Sequence, residues 1–190
     1  ESLETIVNGG VILEASIKDH IMIEILQKLR EEIYSLRDMH EELSKETLNK
    51  FYFIASNGQT PNYRKSNPVI VQLSHNPTLP QEIEGEIKKM FFSLYADNEN
   101  IDIFERAAIV HNKIIKIYPY PDNNELIARV AMLYILVQNG YPICSLSLSE
   151  QEYNQALAEY MRNGNVEKIY QSLLRGTFNK LEIIMQATSL

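Results

Sequence analysis

Apolar residues recur at helical spacing through most of this chain, and one short run alone turns toward β-structure. Ile17, Ile21, Ile25 (or Leu26), Leu29 and Ile33 fall three and four apart. That spacing lines them along one helix face and leaves Lys28, Arg30, Glu31 and Glu32 mostly on the other. Ser44, with Thr47 three residues on, reads as the N-cap of a second helix. Asn57-Gly58 closes that helix, because both residues accept positive φ. Pro80 suits the first turn of a helix carrying Ile83, Ile87, Met90 and Phe91, and Asp102 or Asn100 caps the next, which runs through Ile117. Two more helices are predicted near Ser149 to Arg162, with Glu152 completing a capping box, and near Val166 to Ile184. Between Pro61 and Pro80, Val69-Ile70-Val71 is the credible strand and Ser66-Asn67-Pro68 its turn, so a hairpin is expected over 61–74. The fold class is therefore all-α with one small β-hairpin, in a single domain over 1–190.

Composition bounds the function. A chain of 190 residues with 45% hydrophobic content can bury roughly 70% of its unfolded surface without a covalent staple. Cys144 is the lone cysteine, so no internal disulfide forms and a reducing, cytoplasmic setting is expected, with delivery to another cell left open. A formal net charge of −7 supplies no clustered cations for a phosphate backbone, which argues against a nucleic-acid partner. The longest apolar runs, such as Val130 to Val137, fall far short of the about 20 residues a membrane helix requires, and no signal-peptide pattern opens the chain. His20, His40, His75 and His111 are too scattered for a zinc site, and His111 reads as helix packing.

The chemically telling stretch is Ile117-Tyr118-Pro119-Tyr120-Pro121-Asp122-Asn123-Asn124-Glu125-Leu126-Ile127-Ala128-Arg129, a Pro-rich turn run directly into an apolar helix. A helix start offers unpaired N–H groups and the positive end of the helix dipole, a natural cradle for phosphate. The stretch resembles the HPFxDGNGRxxR signature of the Fic family. Pro119, Asp122, Asn124 and Arg129 keep the signature's letters. Tyr118 stands at the His position, Tyr120 at Phe, Asn123 and Glu125 at the two Gly positions, and Leu126 at the first Arg. The flanks extend the likeness over nearly all of the chain. Arg106-Ala107-Ala108 with His111 resembles the preceding helix, and Gly140-Tyr141-Pro142 the exit of the following one. Tyr153, Ala156, Leu157 and Asn163-Gly164-Asn165 resemble the next core helix. Tyr63-Arg64 with Val69 and Ile70 resembles the family's flap, and Ser2 to Thr5 and Lys18-Asp19-His20 the segment just after its N-terminal inhibitory helix, so 1–16 is expected to be a remnant of that segment.

The resemblance implies a protein adenylyltransferase, moving AMP from ATP with Mg²⁺ to a hydroxyl of a target protein. It places Tyr118 and Asp122 at catalytic positions, Asp122 on the metal, Asn123, Asn124 and Arg129 on the nucleotide, and Tyr63, Arg64, Val69 and Ile70 on a target-docking flap. Each position admits a plainer reading. Tyr, with a pKa of about 10 against about 6.5 for His, is a poor general base, so Tyr118 is either a packing residue or a catalytic one. Asp122 and Asn124 are either ligands of the nucleotide and its metal or helix caps. Glu125 adds negative charge beside a polyanion site and Leu126 removes a cation, so an i,i+4 Glu125–Arg129 ion pair could fill the cradle instead. Impaired or lost transfer is the expectation. The alternative is an interaction module binding a partner protein through the flap, and a homo-oligomer stays open.

Overall fold

The computed structural model describes residues 17–70, 76–96 and 101–188. Among them are seven α-helices: α1 (Ile17–Asp38), α2 (Lys45–Ala55), α3 (Ile83–Tyr95), α4 (Ile103–Ile117), α5 (Asn124–Gln138), α6 (Glu150–Asn163) and α7 (Glu167–Thr188). A 3-10 turn, Pro80–Glu82, leads into α3. The all-α expectation holds. None of these helices is long and apolar enough to cross a membrane.

Local chemistry sets the helix starts. Ser44 and Thr47 form a capping box for α2, each side chain bonded to the other's backbone. Asp102 accepts from the N–H groups of Phe104 (2.8 Å) and Glu105 (3.0 Å) at the start of α4. Ser149 and Glu152 form the box that opens α6. Each satisfies donors that a helix start would leave orphaned, stabilising by about 1 kcal/mol. Asn57 and Gly58 both take positive φ after α2, which Asn tolerates and glycine, lacking a Cβ, adopts freely.

Packing then decides which faces turn inward. The pair α4 and α5 lies at the centre and packs most extensively on itself; α1 and α2 cover α5, while α3, α6 and α7 cover α4. The α5 helix is buried on nearly all sides, from Ile127 and Ala128 to Leu136 and Val137, as a helix apolar all round must be. On α1 the buried stripe is Ile23, Ile25, Leu29, Ile33 and Leu36, whereas Ile21 and Leu26 are 42% and 46% exposed. The predicted stripe was therefore rotated at its start. Tyr134 Oη and Gln138 Nε2 both donate to the Glu41 carbonyl, and Tyr95 Oη donates to the Leu43 carbonyl at 2.8 Å, so the α1–α2 link is tied to α5 and α3. Beyond Thr177 the α7 helix leaves this core, and residues 178–188 are all exposed.

The hairpin expected over 61–74 is not seen: residues 61–70 carry no strand. Val71 and 72–74 lie outside the described residues, as do the expected remnant over 1–16 and the alternative cap Asn100.

Candidate active site at the α4–α5 bend

Tyr118 ends α4 in the left-handed region, with φ 51 and ψ 60, and its N–H bonds to the Ile114 carbonyl at 2.7 Å. A bulky residue there costs about 1–2 kcal/mol, so the surroundings must hold it. Arg64 does so. Its N–H donates to the Pro119 carbonyl at 2.9 Å, its Nε to the Tyr118 carbonyl at 2.6 Å and its Nη2 to the Ile117 carbonyl at 3.1 Å. Nη2 also reaches the Thr78 carbonyl, and Nη1 donates to the Ser66 carbonyl at 3.0 Å and Asn67 Oδ1 at 2.8 Å. A cation belongs at a helix C-terminus, where carbonyls lack partners and the dipole is negative. Arg64 is thus a buried clamp on the bend, not a residue presented on a flap edge. Tyr63 also turns inward, its ring near Tyr120 (6.0 Å) and under Lys45 Nζ (5.4 Å). Ile70 packs on the core, and of the four expected docking residues only Val69, 90% exposed, stands free.

The next residues fix the start of α5. Tyr120 is buried, stacked on Tyr52 with ring centroids 4.3 Å apart, and its hydroxyl donates to Asn49 Oδ1 at 2.8 Å. Asn124 is 1% exposed, and both ends of its side chain bond the Tyr120 backbone at 2.8 Å. It closes the loop, and neither caps the helix nor offers its amide outward. Asp122 is no cap either. It is exposed, and its Oδ1 accepts from Asn123 Nδ2 at 2.8 Å. Asn123 takes the N-cap position at φ 56 without a side-chain cap bond. Among the described residues no side chain therefore competes for the opening N–H groups of α5, a feature that suits a phosphate cradle.

Beside the bend lies a cavity of about 580 Å³, bordered by Glu125, Arg129 and Met132 of α5, Leu146 and Leu148 of the α5–α6 link, and Tyr153 of α6. Among the described residues Arg129 is the lone cation on its wall. The expected Glu125–Arg129 ion pair is not formed; the Arg129 guanidinium lies over the Tyr153 ring, 4.9 Å from its centroid. Tyr153 Oη is 3.1 Å from Nε2 of buried His111, whose Nδ1 is 2.9 Å from Asn112 Oδ1. Burial, partly offset by the Asn112 bond, pushes the His111 pKa down to about 4, so the ring is neutral. Burial pushes Tyr153 up to about 12. Tyr118 is also raised, by burial first and then by the charge of Glu125, so its phenol holds its proton more tightly than an ordinary tyrosine. Cys144 packs against the core with its Sγ 3.3 Å from Thr177 Oγ1, in keeping with a structural role.

The fold thus gathers Tyr118, Glu125, Arg129 and Tyr153, and sets Asp122 on the outer side of the bend against the Tyr52 hydroxyl, whose pKa it helps raise after burial. Among the described residues no three of His, Cys, Asp and Glu gather to hold a metal, so a cation at Asp122 would have that carboxylate and phosphate oxygens for ligands. Sequence reasoning missed Tyr153 as a site residue. Its only local signal was an aromatic four residues past the Ser149 cap, which carries no chemistry by itself.

Comparison with known proteins agrees with this fold. The Fic/DOC family pattern matches residues 30–136. A probable protein adenylyltransferase of Aquifex aeolicus is 32% identical over 78 residues, covering 41% of this chain and 24% of that protein. The protein adenylyltransferase Fic of Nematostella vectensis is 24% identical over 127 residues, covering 66% of this chain and 30% of that protein. The chain thus spans less than a third of the length of either relative. The solved Fic-1 of Caenorhabditis elegans (residues 134–508) superposes with a TM-score of 0.82 at 20% identity, covering 98% of this chain and 57% of that one. With a match running from the second half of α1 to the last turn of α5, over more than half of the chain, this protein belongs to the Fic/DOC family.

Proposed function

We propose that the protein binds ATP with Mg²⁺ across the bend and its cavity, and that transfer of AMP to a target protein's hydroxyl is largely lost. Tyr118 carries this reading. It occupies the position where the family has its base, and burial and Glu125 keep its phenol protonated at neutral pH. A missing general base lowers rate on the order of 10² to 10⁴. The uncapped start of α5 and the Arg129 guanidinium on the cavity wall support retained binding. Leu126 and Glu125 weaken it, since a charge-assisted hydrogen bond contributes about 1.5–3 kcal/mol and an unpaired carboxylate repels a polyanion. Mg²⁺ at Asp122, when bound, would supply the positive charge that offsets Glu125. The partner-docking alternative has less behind it, because Tyr63 and Arg64 face inward.

Labelled ATP offered with a lysate of candidate targets tests the reading. Wild type is expected to leave only trace label. The combined Tyr118→His, Glu125→Gly, Leu126→Arg protein should label at least about 100-fold faster, and adding Asp122→Ala should abolish that gain. Wild-type labelling as fast as the restored protein's would show that Tyr118 is competent. No label from the restored protein would remove the transferase ancestry of the site.

A further inference from the structure

We infer that Tyr153, anchored by the buried His111, fixes the direction in which the Arg129 guanidinium enters the cavity beside the bend. The chain of contacts has a definite polarity. Asn112 Oδ1 can only accept, so the His111 nitrogen 2.9 Å away, Nδ1, carries the ring proton. Nε2 then accepts, and the Tyr153 hydroxyl 3.1 Å away donates its proton to it. The phenol oxygen keeps its lone pairs for another donor, and the Arg129 guanidinium that lies over the ring is within hydrogen-bonding reach of it. His111 is fully buried and, being neutral, offers a steady acceptor.

Arg129 is otherwise exposed and would sample many rotamers. A guanidinium carries five donors, so a stack over the ring and one bond to the phenol oxygen orient the cation and leave further donors for a second partner. Tyr153 and Arg129 both border the cavity, and no other cation among the described residues does. Tyr153 is therefore a positioning residue for Arg129, and His111 for Tyr153. The inference draws on the nucleotide reading only for the identity of the anion.

Side-chain resonances of the ligand-free protein test it. In wild type the Arg129 Nε–H proton should be shifted upfield by the ring below it, and ¹⁵N couplings should place the His111 proton on Nδ1. Tyr153→Leu should return Arg129 to an unshifted position. His111→Gln, which keeps an acceptor for the phenol, should leave the shift in place, whereas His111→Leu should reduce it. ATP titrated by calorimetry should bind about tenfold more weakly to Tyr153→Leu and to Arg129→Ala, and like wild type to His111→Gln. An Arg129 resonance unchanged in Tyr153→Leu, or a His111 proton on Nε2, would overturn the inference. Should wild type take up no ATP, the nucleotide reading fails, while the Arg129 shift still decides whether Tyr153 holds it.

Discussion

At the scale of single residues, the fold has altered the ordinary chemistry of several groups. His111 shows this most plainly, because its burial is linked to pH. Its folded pKa, about 4, lies below the unfolded value near 6.5, so its contribution to stability is complete above about 6.5 and is lost as pH falls through about 4. Over that window the linkage is on the order of 3 kcal/mol. Urea midpoints of wild type and His111→Gln between pH 7 and 4 should diverge, wild type falling further; parallel curves would mean that His111 already protonates in the folded state. Arg64 makes a second case. Its bonds to backbone carbonyls leave buried acceptors orphaned when it is removed, at about 1–3 kcal/mol each. Arg64→Met should therefore lower stability by about 3 kcal/mol or more, and Arg64→Lys should recover only part, since an ammonium cannot reproduce the fork. Denaturant unfolding measures both. Little in the sequence marked Arg64 for this role, because its partner Tyr118 is 54 residues away and spacing rules see only neighbours.

Among the elements, what could be read in advance was what is local. Caps at Ser44, Asp102 and Ser149 bond residues two or three positions on, and they stand where the sequence puts them. The Tyr118–Arg129 turn likewise forms a bend running into a helix. What depends on neighbours across the fold was not legible. Whether Ile23 or Ile21 is buried depends on where α2 and α5 sit against α1, and a heavily apolar helix fits two adjacent faces almost equally. The β-branched run at Val69 met no partner strand among the described residues, because Arg64 draws residues 64–67 onto the end of α4 instead. The wall of the cavity has a similar non-local requirement. A Cβ on Gly176 of α7 would collide with the carbonyl of Ser145, in the link that borders the cavity. Gly176→Ala should cost about 1–3 kcal/mol despite alanine's better helix propensity. Thermal melts would register this, and an unchanged or higher melting temperature would show that the link yields freely.

The molecule as a whole is a family scaffold around an edited site. The helices of the Fic/DOC fold are intact, while the positions that the signature gives to His, its two Gly and its first Arg hold Tyr118, Asn123, Glu125 and Leu126. On the proposed reading such a chain would keep phosphate binding and have largely lost transfer, and binding is then the property to measure first. Calorimetric titration of the protein with ATP and Mg²⁺, run beside Arg129→Ala, tests this most directly. Heat of binding is predicted in wild type and about tenfold weaker binding in the variant. No heat in wild type, or equal affinity in the two, would contradict the claim that the bend remains a phosphate site.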